Sequence, residues 1–197
     1  MKKHKPSGPA IFMYSIIAGT ILIWSVCFGF YYNGVIDNDV VLWAGIASFM
    51  IMYHFWVRII MGNVSKLIKI NPDHPWFYEK KFEKKLYKLL RVRKWKDKVL
   101  TYNPEKFDFS ENSLHDVLMT TCKAETDHLI NEVISLSSLL FSLIWGQFPI
   151  FLVTAVAAML FDAQFIVVQR YNRPKLRKIM TRRETIFRKN TAQAEKV

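Results

Sequence analysis

Four apolar runs, Ile11 to Tyr32, Val40 to Met61, Leu129 to Trp145 and Phe148 to Val168, divide this chain. Each approaches the ~20 residues an α-helix needs to cross a hydrocarbon core of roughly 30 Å. In lipid every backbone amide must find its partner within the segment, so runs of this kind are helices. The predicted fold is therefore an all-α integral membrane protein with four transmembrane helices. Charge orients it. The link from Tyr31 to Asp39 carries Asp37 and Asp39 but no Lys or Arg, and the turn from Trp145 to Pro149 has no charge. Of 28 Lys and Arg, all but Arg58 fall in the N-terminus, in the segment 63–128, or in the tail 170–197. By the positive-inside rule these regions are cytoplasmic, in the cell-membrane arrangement. The expectation is one membrane domain, 1–197, with spans at 11–32, 40–61, 129–145 and 148–168. A basic cytoplasmic helical insertion, 63–128, joins the second and third, and both termini lie inside.

Composition fits that picture: 51% hydrophobic residues with a net charge of +12 describe apolar spans joined by basic surface. The first run is too long for a signal-peptide core and no small-residue cleavage site follows it, so it reads as a retained span. Cys27 and Cys122 sit at different depths and are not expected to pair, nor to hold a metal. The insertion is too short for a large core of its own and is expected to pack on the bundle.

Within the insertion, Asn71-Pro72-Asp73-His74-Pro75 is helix-start chemistry, with Asp73 or His74 as N-cap and Pro75 in the first turn. A helix is predicted from there to about Leu90. Tyr78, Phe82, Leu86, Leu89 and Leu90 recur at helical spacing among Lys80, Lys81, Lys84, Lys85 and Lys88, the pattern of an interfacial helix. Between Lys80 and Lys98 ten Lys or Arg face only Glu83 and Asp97, and Trp95 and Lys96 lie in the densest part. Such a stretch suits phosphates, whether of lipid head groups or of a coenzyme A donor, and equally a basic surface resting on anionic lipid. Nucleic acid is not expected, because no binding motif accompanies the charge.

After a loop containing Asn103-Pro104, Ser113-Leu114-His115-Asp116 reads as an N-cap with an acid three positions on. With no Gly or Pro before Gly146, the helix is predicted to run unbroken into the third span. Glu125, His128 and Glu132 then share a face at i, i+3 and i+7. A His held by carboxylates in one tautomer suits removal of a proton from a hydroxyl. The alternative is a His at head-group level paired with acids for solubility. One Glu-x-x-His pair lacks the further ligands of a metal site.

His54 and Arg58 lie at i and i+4 near the inner end of the second span, and Asp162, Gln164 and Gln169 in or at the end of the inner half of the fourth. Ionisable groups within spans are costly and usually mark an interior site. Asp162 paired with Arg58 or His54 would serve structure alone, and Arg58 could also snorkel. Pro174 biases Arg173 away from helix, so the chain is expected to bend after Gln169-Arg170-Tyr171-Asn172-Arg173. Gln169, Arg170, Asn172 and Arg173 there could grip phosphate or carboxylate, or simply cap a helix C-terminus.

Arg93-Lys94-Trp95-Lys96, the segment Ala124 to His128 and the run Gln169 to Pro174 resemble the signatures of the glycosyl-diaponeurosporenoate acyltransferase family of Gram-positive bacteria, in the same order from about His54 to Leu176. The Gln-Arg-Tyr-Asn-Arg-Pro run is the most specific of these elements. Leu129 stands where members often carry an aromatic or acidic residue. The resemblance implies transfer of a fatty acyl chain to a sugar hydroxyl of a membrane lipid, in the carotenoid case the last step towards staphyloxanthin. Glu125 and His128 would then occupy the acid-histidine positions.

No His is followed five positions on by Asp, and no Gly-x-Ser-x-Gly elbow or Gly-rich phosphate loop occurs, which argues against a covalent serine enzyme. The mechanism expected is direct transfer: His128, oriented by Glu125 or Glu132, deprotonates an acceptor hydroxyl that attacks an acyl thioester. His54, Arg58, Trp95, Lys96, Asp162, Gln169, Arg170, Asn172 and Arg173 are the candidate substrate or donor contacts. No bound cofactor is expected; acyl-CoA or another acyl thioester is the co-substrate, membrane lipids are the partners, and a homodimer would help bury polar faces. Two other readings compete: a different lipid-modifying membrane enzyme such as a methyltransferase, and a non-enzymatic lipid-binding subunit.

Overall fold

The computed structural model describes residues 8–64, 67–99 and 104–194. Among these there is no strand. The helices are α1 (Gly8–Tyr32), α2 (Asp39–Val64), α3 (Glu83–Leu89), α4 (Val92–Trp95), α5 (Leu114–Ser137), α6 (Ser142–Trp145) and α7 (Phe148–Ala194), with short 3-10 turns between several of them. Four helical stretches are long and apolar enough to cross a membrane: Gly8–Tyr32, Asp39–Val64, Leu114–Trp145 and Phe148–Ala194. Their outward faces are apolar, as at Leu22 (66% exposed), Leu143 (82%) and Leu160 (68%). A surface of that kind is stable against lipid and not against water. Asn103 of the expected loop and the lysines of residues 1–7 lie outside the described residues.

The contacts divide the chain into two compact units. The first takes the described residues up to Ile68 together with Asp127–Gln164, and its core is built on α2. Leu42, Ile46 and Met50 recur every fourth residue and pack with Phe151 of α7 among Phe28, Tyr31, Phe49, Tyr53, Phe141 and Trp145. α1 lies against α2 where Gly45 leaves room: a Cβ there would stand 2.6 Å from the Phe28 ring. Gly146 and Gln147, both at positive φ, turn the chain from α6 into α7, and Trp43 Nε1 donates to Gln147 Oε1 at 2.9 Å to hold the turn.

The third apolar stretch is helical throughout but not uniformly α. It tightens to a 3-10 turn at Ser138–Phe141. The hydroxyls of Ser137, Ser138 and Ser142 donate to the carbonyls three residues back, at 2.7, 2.6 and 2.7 Å, and so compete with the α-helical ladder. At its other end the capping expectation holds: Ser113 Oγ accepts from Asp116 N at 3.1 Å and donates to Asp116 Oδ2 at 2.6 Å.

The second unit joins Lys69–Val99, the described residues through Thr126, and Phe165 onward. Phe77, Val117, Leu118, Cys122 and Leu176 form its core, flanked by Ile70, Leu114 and Met180. Here two expectations fail. The helix predicted from Pro75 to Leu90 is only a 3-10 turn, Pro75–Phe77, capped as expected by the His74 side chain, and α3 begins at Glu83. The carbonyls of Trp76, Phe77 and Tyr78 accept from the guanidiniums of Arg170 and Arg173, not from amides one turn on, so the chain leaves the helical path. The bend predicted at Pro174 is also absent: α7 continues through it. Pro174 forfeits one amide donor, but Arg173 and Leu176 beside it are almost wholly buried, and that packing overrides the local preference. Phe82, Leu89 and Leu90 of the α3 region turn outward among lysines, as an interfacial segment would.

Candidate active site

In the first unit, three of the helices apolar enough to cross a membrane bring their polar side chains together. Asp162 of α7 is fully buried, and its carboxylate is the centre of the group. Oδ1 lies 2.8 Å from His128 Nδ1 on α5. Arg58 of α2 donates from Nε to Oδ1 at 3.3 Å and from Nη2 to Oδ2 at 2.5 Å. The remaining Arg58 donors reach the carbonyls of His54 (2.6 Å) and Ala158 (3.0 Å), and its guanidinium stacks over Phe161 and Phe55. Arg58 is therefore a buried ion-pair partner and does not snorkel.

The arrangement defines a tautomer. A carboxylate beside a guanidinium is an acceptor only, so His128 Nδ1 carries the proton it shares with Asp162, and in the neutral imidazole the lone pair is on Nε2. Arg58 and Asp162 neutralise one another, which leaves the imidazole as the group able to accept a proton. The carboxylate that orients His128 is thus Asp162, where spacing along one helix offered Glu125 or Glu132. Glu132 is half-buried and makes no ion pair among the described residues.

One turn from Arg58, His54 is buried, and its Nδ1 lies 3.3 Å from Ser135 Oγ on α5. Asn131 and Ser135 are buried on the same face of α5 as His128. Neither stood out in the sequence, although extending the i, i+3, i+7 series from His128 reaches both.

In the second unit Glu125 has its own partners. Arg170 Nη1 reaches its Oε1 at 2.5 Å, Arg173 Nη2 its Oε2 at 2.6 Å, and Trp76 Nε1 donates to Oε1 at 2.9 Å. Arg170 also pairs with Glu83 at 2.6 Å. Arg173, 1% exposed, donates to Thr121 O at 3.0 Å and lies over the Phe77 ring. These guanidiniums spend their donors on protein groups and hold the 76–78 turn against α5 and α7. Trp95 Nε1 donates to Leu90 O at 2.8 Å, and Lys96 pairs with its neighbour Asp97. Gln169 and Asn172 are half-buried and make no side-chain hydrogen bond among the described residues. Glu83 and Thr121 carried no signal in the sequence, since each is one polar residue in a helix and its role depends on an arginine far along the chain.

A family model described as glycosyl-4,4'-diaponeurosporenoate acyltransferase matches residues 73–182, more than half of the chain. The chain belongs to that family. The resemblance read on the 93–96, 124–128 and 169–174 segments is borne out. No curated protein matches, and no solved structure does. In this acyltransferase the matched segment contains His128 and Asp162, whereas Arg58 and His54 lie ahead of it. An imidazole held by a buried carboxylate can take up a proton as a general base. Among the described residues no cluster of His, Cys, Asp or Glu is arranged to hold a metal.

Proposed function

We propose that this acyltransferase moves a fatty acyl chain from an acyl thioester, acyl-CoA, to a hydroxyl of a glycosylated membrane lipid. In this reading the helices span the cell membrane with both termini and the basic insertion cytoplasmic, where acyl-CoA is found. The reading is carried by the hydrogen bond between His128 and Asp162, inside a bundle of membrane-spanning helices in a chain of this family.

His128 Nε2 takes the proton of the acceptor hydroxyl. The oxygen attacks the thioester carbonyl carbon, the new C–O bond forms, and the C–S bond breaks. The proton then passes from His128 to the departing thiolate, which leaves as the free thiol. Asp162 keeps the imidazole oriented and stabilises the imidazolium that forms in between, and Arg58 keeps Asp162 in place. The lysine-rich stretch 80–98 supplies long-range attraction for a polyphosphate donor or an anionic membrane surface.

The test is acyl transfer by the purified full chain in lipid nanodiscs, with radiolabelled palmitoyl-CoA and an alkyl glucoside as acceptor. Wild type produces an ester-linked glycolipid and His128→Gln does not. Equal product from both would remove His128 from the chemistry.

A further inference from the structure

In the first unit, Nε2 of His54 and Oδ1 of Asn131 meet no hydrogen-bond partner among the described residues. Both side chains are more than nine-tenths buried, at 5% and 4% exposure. Unpaired polar groups inside a membrane-spanning bundle are destabilising, and they are retained where a site needs them. Asn131 stands three residues from His128 and four from Ser135 on one α5 face, about 4.5 Å along the axis from the catalytic imidazole at 1.5 Å per residue. His54 reaches that face through its 3.3 Å contact with Ser135 Oγ.

The chemistry of the pair is specific. Ser135 can donate its hydroxyl proton to His54 Nδ1, which leaves Nε2 as an N–H donor. Asn131 Oδ1 is an acceptor. A group that satisfies both through one atom must accept one hydrogen bond and donate another, without charge. A hydroxyl does this. Ester and thioester carbonyls only accept, and a phosphate would bring unneutralised charge into the span.

We propose that His54 and Asn131 form a hydroxyl-binding subsite that reads a second hydroxyl of the acceptor, one helical turn from the hydroxyl activated at His128. The inference rests on the acyl-transfer reading for the identity of the first hydroxyl. Ser135 is a positioning residue: it sets which His54 nitrogen carries the proton. With two hydroxyls read at once, the acceptor is held by its ring and presents one oxygen to the base. A lipid with a single hydroxyl fills only the catalytic position.

The experiment measures equilibrium binding of an alkyl glucoside and of the long-chain alcohol with the same alkyl group to the full chain in nanodiscs. The proteins are wild type, Asn131→Leu and His54→Phe, and each melting midpoint is recorded. Wild type is expected to prefer the glucoside. Each variant should lose that preference roughly tenfold, about one neutral hydrogen bond, with alcohol binding unchanged. The two variants are independent, so failure of one to fold leaves the other decisive. Wild type binding both ligands alike, or variants that keep the preference while melting at or above the wild-type temperature, would overturn the subsite and leave these atoms a purely structural role. Loss of transfer in His128→Gln is read separately, so the subsite can fail while the acyl-transfer reading stands, and the reverse.

Discussion

His128 Nδ1 stands 2.8 Å from Asp162 Oδ1, across 34 residues of chain and between the helices α5 and α7. The contact fixes which imidazole nitrogen faces the carboxylate. His128→Gln should lower turnover about a hundredfold to ten-thousandfold, the usual worth of a general base. Its melting temperature should stay near wild type, because the ring is partly exposed, at 21%. Asp162→Asn should lose turnover in the same range by releasing the tautomer, and it should also melt earlier. Initial rates with labelled acyl-CoA and a thermal melt of each variant check both halves.

Arg58 tests the structural half of the same group. Arg58→Met leaves the Asp162 carboxylate, which is fully buried, without its counter-charge, and should destabilise by about 3–5 kcal/mol. Removing both charges in Arg58→Met/Asp162→Leu should restore most of that stability while transfer stays lost. A double variant as unstable as the single one would show that the ion pair is not the source of the cost.

Glu125 should behave in the opposite way. Its carboxylate is fully buried between Arg170 and Arg173, whose side chains are 13% and 2% exposed. Glu125→Gln leaves Arg173 without a carboxylate and Arg170 with Glu83 alone, and should cost about 3–5 kcal/mol. Turnover per folded molecule should remain close to wild type. Arg173→Lys should mimic it, since an ammonium cannot serve Glu125, Thr121 and the Phe77 carbonyl from one plane. Comparing specific activity with the folded fraction separates the two effects.

Tyr87 gives a pH dependence. Burial, and after it the hydrogen bond to Glu83 Oε2 at 2.9 Å, push its phenol above the ordinary range. A raised value in the folded state contributes stability that is complete below the unfolded phenol value of about 10. It is lost as pH rises from there through the folded value. Melting temperature should therefore fall in the alkaline range for wild type, and less steeply for Tyr87→Phe, which has no proton to lose at that position.

Several elements were legible in consecutive residues. Run length and apolarity gave the four spans, Ser113 and Asp116 gave the start of α5, and His74 gave its cap. The charge pattern isolated the ionisable residues worth following into the spans, and Asp162 with Arg58 was among the pairings foreseen. The missing helix at 75–82 and the unbroken α7 at Pro174 were not legible, because both follow from arginine side chains that reach across the second unit. Local preference there amounts to about 3 kcal/mol for the proline, and several buried hydrogen bonds and ion pairs together offset it.

The site divides along the same line. Which residues share a helix face is arithmetic on residue number, and so Glu125, His128 and Glu132 could be grouped before any fold was known. Which carboxylate meets the imidazole depends on how far α5 and α7 are rotated and slid against one another. Rotation and depth are set by volume-filling contacts among Leu42, Ile46, Met50, Phe151 and their aromatic neighbours. Those contacts are distributed over the whole bundle and leave no periodic trace along the chain, so the pairing of His128 with Asp162 exists only once the helices are packed.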